Sequence, residues 1–399
     1  MITLDRAKAV AWLLGFFLVA DVYLWPGSAA SPRAFDVIAL VGAVWLGRRL
    51  LSRGAPAAPL ASLLVMACPV VVWAAIAATS GRVATLLMAL RWLLAVPWGM
   101  ALATAASNPA TRRQLAWGMW WGLVTNIAVL AMQYANQLDL TRALGLAAHD
   151  SVLSDLEISW RYPGLHGHAN ASTAVASLIA PVSGWLYVTG AARAWVPAAS
   201  VLLLLGAGHV TSTRSPLVIA AATVIAMLLC ARRAALVLRA GIAFALLIAP
   251  FWLWLGPPGG QARWEDEGNI AVNTVERLAS NRIGLGLALA HPLGVGVERS
   301  AAALEDALDL PSMHNALLQV SAVFGFPVAI WLLVPMIILV ARLPRGPAAP
   351  RALESALALQ TLGLFFFEEH GNNPTFIALI AWFVAAAAFS RRAAGEPAS

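Results

Sequence analysis

Charge is what this 399-residue sequence has least of: 11% of its residues are Asp, Glu, Lys or Arg, where soluble domains carry about 25%. With 60% hydrophobic residues and a mean hydropathy of +0.77, the chain lacks the polar side chains to cover a soluble globule. That leaves a polytopic membrane protein. Cysteine is almost missing as well. Cys68 and Cys230 lie in or beside apolar runs, so neither a disulfide framework nor a cysteine metal site is supported. No Walker A sequence occurs, and the Gly-x-Gly of the turn HPLGVG follows no strand-like run. Both absences argue against ATP-driven chemistry and a dinucleotide fold. The first apolar run, 9–25, has no small-residue cleavage site of the kind that ends a secretory leader. No short-period repeat is evident, and the polar tail 391–399 carries no appended domain. The net charge of +7 follows membrane topology and does not point to nucleic acid.

What is present is a series of apolar runs, each near the roughly 20 residues that cross a hydrocarbon core. They predict an all-α polytopic protein of about twelve spans: 9–25, 34–47, 60–79, 83–106, 114–134, 169–189, 194–210, 215–231, 234–255, 314–341, 352–367 and 372–390. The second is the weakest, being short and containing Asp36. Residues 1–399 read as a single integral membrane domain. Most of the basic residues fall on the side of the N-terminus if that side is cytoplasmic, as the positive-inside rule requires. Both termini are then cytoplasmic. Two long segments, 135–169 and 256–313, become periplasmic loops, and 270–289 reads as one or two helices lying along the membrane surface.

Arg33, Arg82, Arg142, Arg161, Arg214, Arg263, Arg277, Arg282 and Arg299 fall on the outer side, against the topogenic trend. Arg161 precedes a turn, YPG, and then His166, His168 and Asn170. A guanidinium there can pair with Asp155 or Glu157 or clamp a phosphate through two donors. Two histidines at this spacing, without nearby carboxylates, are a weak metal signal, and no metal is assigned. Arg214 stands at the mouth of an apolar run amid Ser212, Thr213 and Ser215. It suits interfacial snorkelling and anion binding equally. Arg277 and Arg282 share the surface-helix segment. The last outer turn, FFFEEHGNNP, brings Glu368, Glu369 and His370 together, and reads first as a solvated turn.

The stretch LPSMHNALLQVSAVFGFPVAI, 310–330, carries the strongest chemistry. Ser312 is the expected N-cap, with His314 and Asn315 in the first helical turn. A helix start welcomes phosphate and favours a neutral imidazole that can accept a proton. The plain alternative is a polar residue at a membrane interface.

Taken in order, RYPGLHGHAN, TSTRSPLVIA, NRIGLGLALAHPLGVGVE and MHNALLQVSAVFGFPVAI resemble the motifs of the O-antigen ligase and polymerase superfamily of bacterial inner-membrane glycosyltransferases. The resemblance covers about residues 155–340. Pro327 replaces the second glycine of a pair around the aromatic helix, and Pro216 stands where glycine is commoner. The resemblance implies a metal-, cofactor- and ATP-independent enzyme with its active site facing the periplasm. It would move a glycan from undecaprenyl pyrophosphate to lipid A–core, or to another lipid-linked glycan in a polymerase. His314, Arg214 and Arg161 are the implied catalytic residues. Arg161, Arg214, Arg282, His168 and Asn315 are the implied substrate-binding ones. Among the alternatives are the polymerase and, from another class, a flippase or transporter of lipid-linked glycan.

Overall fold

A computed structural model describes residues 4–22, 24, 33–53, 57–135, 137–144, 162–211, 213–230, 267–308, 313–343, 351–367 and 373–392. The predicted span 234–255 and residues Arg161, Glu368, Glu369 and His370 lie outside this set. The described chain is helical, without a β-strand of two or more residues. Its helices are α1 Leu4–Val19, α2 Ala34–Arg53, α3 Ala57–Ser80, α4 Val83–Ser107, α5 Pro109–Tyr134 and α6 Leu138–Ala143. A 3₁₀ turn at Gly164–His166 leads into α7 Ala169–Ser177, α8 Ile179–Val188, α9 Trp195–Thr211 and α10 Ser215–Cys230. Then come α11 Glu267–Ala290, α12 Val297–Leu308, α13 Ala316–Phe324, α14 Phe326–Val340, α15 Ala352–Phe367 and α16 Pro374–Arg392.

Among the described residues, four segments are long and apolar enough to cross a membrane: Pro59–Ser80, Val83–Ser107, Pro109–Tyr134 and Ala169–Val188. The last is α7 and α8 in series, joined at Leu178. Six further apolar helices are shorter, among them Trp195–Thr211, Ser215–Cys230 and Phe326–Val340. Most described helices overlie hydropathy runs, but α1 begins and ends ahead of the run 9–25, α2 continues past 47 to Arg53, and α5 starts at Pro109, before the run 114–134. Asp36 does not interrupt α2, because its carboxylate accepts the N–H of Arg33 at the helix start, 3.0 Å away. The run 314–341 divides at Gly325 into α13 and α14.

The chain forms two compact units: Met1–Val37, Thr104–Glu265 and Val340–Gln360 make one, and Ile38–Ala103, Asp266–Leu339 and Thr361–Ser399 the other. In the first, α1 runs against α5. The two approach so closely that a Cβ on Gly15 of α1 or on Gly118 or Gly122 of α5 would meet the other helix's backbone. Small residues four apart permit this, and where lipid is as apolar as leucine such close packing is what holds two helices together. Trp120 of α5 donates to the Ser200 hydroxyl of α9 at 2.9 Å, and Gln360 of α15 donates to the Ser177 hydroxyl of α7 at 2.8 Å. Both bonds tie polar side chains that are buried in apolar surroundings.

In the second unit α16 is apolar all round and buried from Phe376 to Ala388, as a central helix should be. It packs on α3, and Gly99 of α4 lets the backbone at Ala381 approach. A second group in this unit gathers Leu304 of α12, Met313 and Ala322 of α13 with Ile283, Leu287 and Leu318 around them.

Candidate functional site

Two polar constructions, one in each unit, hold His166, His168, Asn170 and Arg214 in the first and His314 and Asn315 in the second. In the first, the turn before α7 is held by side chains of α5. Gln133 accepts the N–H of Gly164 at 2.9 Å, and Asn126 accepts that of Leu165 at 3.3 Å while donating to Ser172 O at 3.1 Å. Both amides are fully buried, and leaving either unpaired in an apolar helix would cost about 1–3 kcal/mol. Ser172 donates to Pro163 O and accepts the His166 N–H. Asn126 and Gln133 carry no catalytic signature. The signal that finds them is two amides seven residues apart, hence on one face, inside an apolar run.

The histidines of this turn divide their work. His168 is the N-cap of α7, its Nδ1 accepting the Asn170 N–H at 3.3 Å. His166 is buried, and its Nε2 donates to Val19 O at the end of α1, 3.2 Å away. Burial lowers the His166 pKa to about 4, against a raising influence from Asp21 and a lowering one from Arg33. The ring is therefore neutral, with Nδ1 an acceptor. Asp21 and Arg33 form an ion pair beside it.

Arg214 stands on the connection between α9 and α10 and is exposed. That connection is bonded directly to the start of α7: Thr213 donates to the Asn170 side-chain oxygen at 3.1 Å, and the hydroxyls of Thr173 and Thr211 lie 2.5 Å apart. The Arg-bearing turn TSTRSP and the turn YPGLHGHAN are thus one body. Tyr134 stacks edgewise on both Tyr162 and His209, within the same unit.

In the second unit Asn315 caps α13: its side chain accepts the Leu318 N–H at 3.0 Å; Ser312, the expected cap, lies outside the described residues. His314 accordingly lies just outside the helix, before the cap, and not within its first turn. The structural reason is the preference of asparagine for the extended cap conformation it adopts here, φ −137° and ψ 113°. Asn315 Nδ2 also donates to Phe366 O at 3.5 Å. Both polar atoms of its side chain are therefore bonded to backbone. His314 is half-buried, and its pKa is lowered by burial first and then by Arg277, with Glu276 acting the other way.

Arg277 and not Arg282 is the α11 arginine that acts on His314. The helix turns Arg277 and Gly284 to one side, where Met313 sulfur sits where a Gly284 Cβ would be. Arg282 is exposed on another face.

The glycines of HPLGVG serve a backbone interlock. Val295 N–H donates to Ala322 O at 2.7 Å, Gly296 N–H to Val323 O at 3.1 Å and Phe326 N–H to Pro292 O at 2.9 Å. Gly294 and Gly325 both have φ +90°, and a Cβ on either would strike the other strand of the interlock. Pro327, the departure from the glycine pair, falls in the first turn of α14, where a missing N–H costs nothing. The HPLGVG turn is pinned by Trp73, which donates to Leu293 O at 2.8 Å, and just beyond it Glu298 of α12 accepts from Thr85 of α4. Burial alone would raise the Glu298 carboxyl, but hydrogen bonds from the Thr85 hydroxyl and N–H hold it below the usual range.

The fold and hydropathy define an all-helical protein with helices able to cross a membrane. Comparison with protein-family models and with curated proteins finds no match to this chain.

Proposed function

We propose that this chain is a bacterial inner-membrane glycan ligase. It would transfer a glycan from undecaprenyl pyrophosphate to lipid A–core at the periplasmic face. The observation that carries the reading is the union of the 162–170 turn with the Arg214 turn through Asn170–Thr213 and Thr173–Thr211. An exposed arginine held on a bonded, backbone-rich platform suits a diphosphate leaving group.

In the proposed step an acceptor hydroxyl oxygen attacks the anomeric carbon of the donor glycan. The carbon–oxygen bond to the pyrophosphate breaks, and the electron pair stays on undecaprenyl pyrophosphate. Arg214 and Arg161 stabilise that charge. His314 takes the hydroxyl proton; burial and Arg277 favour its neutral, proton-accepting form. No bound metal or nucleotide enters this scheme. The proposal includes about twelve spans, with both termini cytoplasmic and 256–313 periplasmic.

Lipopolysaccharide from a deletion strain tests it. A ligase mutant yields lipid A–core without a ladder. Core plus a single repeat would make the protein a polymerase instead, and accumulation of cytoplasm-facing lipid-linked glycan would make it a flippase. In purified protein, Arg214→Ala should lower transfer about 10²–10³-fold. Arg214→Lys should also impair it, since an ammonium keeps the charge but loses the two-donor fork. Unchanged transfer and donor binding in Arg214→Ala would remove Arg214 from the site.

A further inference from the structure

The helix α11 has its bulky apolar residues on the wrong side for a water-facing helix. Toward the protein it presents the buried Ser280, Gly284 and Ala288, with Ile283 and Leu287 at the margin. Outward it presents Val275, Leu278, Leu285 and Leu289, which are 66%, 66%, 46% and 63% exposed. Those four and Arg282 follow one another at intervals of three and four residues. They therefore form one stripe along the helix, about 21 Å long at 1.5 Å per residue. Arg282 is at its centre and is also exposed. The stripe continues into Leu293, 74% exposed, whose carbonyl is bonded to Trp73 of α3. Helix α3 is one of the membrane-length helices and exposes its own apolar face at Val65, Val72 and Ile76.

We infer that the outward face of α11 is seated in the outer leaflet of the bilayer at headgroup depth, with the Arg282 guanidinium on a lipid phosphate. The four aliphatic side chains enter the acyl boundary, and the arginine stem lies along them while its head reaches the phosphates. A second copy of the chain fits the stripe badly. Arg282 is the midpoint, so packing the stripe on itself in either direction sets Arg282 against Arg282 away from water, and the like charges repel. Lipid phosphate supplies the opposite charge at that point. Arg282 is thereby assigned to the membrane and not to the leaving group. The seat also sets the depth of Met313, which rests on Gly284, and of His314 beside it. That consequence rests on the ligase reading; the seat itself does not.

The test uses full-length protein in nanodiscs of mixed zwitterionic and anionic phospholipid, with Cys68→Ser and Cys230→Ser as background. Nitroxide labels are placed one at a time by Leu278→Cys, Leu285→Cys and Leu289→Cys, with Glu305→Cys on α12 as the water-facing control. All four positions are exposed, so labelling leaves the packed faces intact. The expected result is relaxation by oxygen exceeding relaxation by a water-soluble nickel chelate at 278, 285 and 289, and the reverse at 305. Adding Arg282→Glu should raise nickel accessibility at 285 at least threefold as the helix lifts from the phosphates. Nickel-dominated relaxation at the three stripe positions would overturn the proposal in favour of a water-facing helix. Spin–spin broadening between labels would overturn it in favour of a second copy, and protection from both reagents in favour of cover by the chain itself. Each readout is independent of glycan transfer, so an inactive wild-type protein would count against the ligase reading alone.

Discussion

At the scale of single residues the proposal turns on His314. If it is the acceptor base, His314→Ala should lower transfer about 10²–10⁴-fold while leaving donor binding intact. In vitro transfer paired with a donor-binding assay measures both. Lost donor binding would move the residue to the pyrophosphate. Burial and Arg277 lower its pKa, and the base works unprotonated. Activity should therefore persist to a lower pH than a free imidazole of pKa about 6.5 would allow, falling only as pH drops through the depressed value. A rate profile with an apparent pKa above that of free imidazole would contradict the assignment. His166 gives a different pH effect. Its pKa of about 4 in the fold is below the value of about 6.5 in the unfolded chain, so between those limits the unfolded state binds more protons. Stability is fully present above the unfolded value and is lost as pH falls from about 6.5 to about 4, by on the order of 3 kcal/mol. Denaturation followed across that window should show the slope flatten in His166→Gln, whose amide can still donate to Val19 O and does not titrate. A slope that persists unchanged in His166→Gln would remove His166 as its source.

At the scale of elements, close approach matters more than propensity. Gly118→Leu on α5 would drive a side chain into the backbone of α1. Overpacking of this kind costs typically about 1–3 kcal/mol, so the detergent-solubilised protein should melt at a lower temperature while Trp121→Leu, at an exposed position on the same helix, melts as wild type. Equal melting of the two would deny the glycine seam. The seam was open to view in the sequence as Gly118 and Gly122, four apart. Only a partner helix gives it meaning. Many helix limits, by contrast, were legible to within a few residues, because an apolar run and the helix it builds are both local; α1, Leu4–Val19, lies ahead of its expected run 9–25, and α2 continues past 47 to Arg53. The division of 314–341 at Gly325 was not legible, because the break exists to let α13 and α14 meet the 292–296 turn through backbone bonds.

At the scale of the whole molecule the proposed topology predicts a labelling pattern. In the cysteine-free background, Glu305→Cys on α12 should react with an impermeant maleimide in intact spheroplasts, and Arg193→Cys only after permeabilisation. The reverse pattern would invert the orientation and place His314 on the cytoplasmic side. Composition alone was enough to set the class of this protein, since 11% charge and long apolar runs leave water-soluble folds no surface to show. Motif order alone was enough to nominate Arg214, His168 and His314. Tertiary packing decided where those residues stand and what lies against them. It made Asn315 the cap and put His314 ahead of the helix, made Arg277 the α11 arginine whose charge bears on the imidazole, and tied two turns some forty residues apart through Asn170 and Thr213. Each of these depends on which face of a helix meets which neighbour, and hydropathy along a chain records how apolar a segment is without recording what it will lie against.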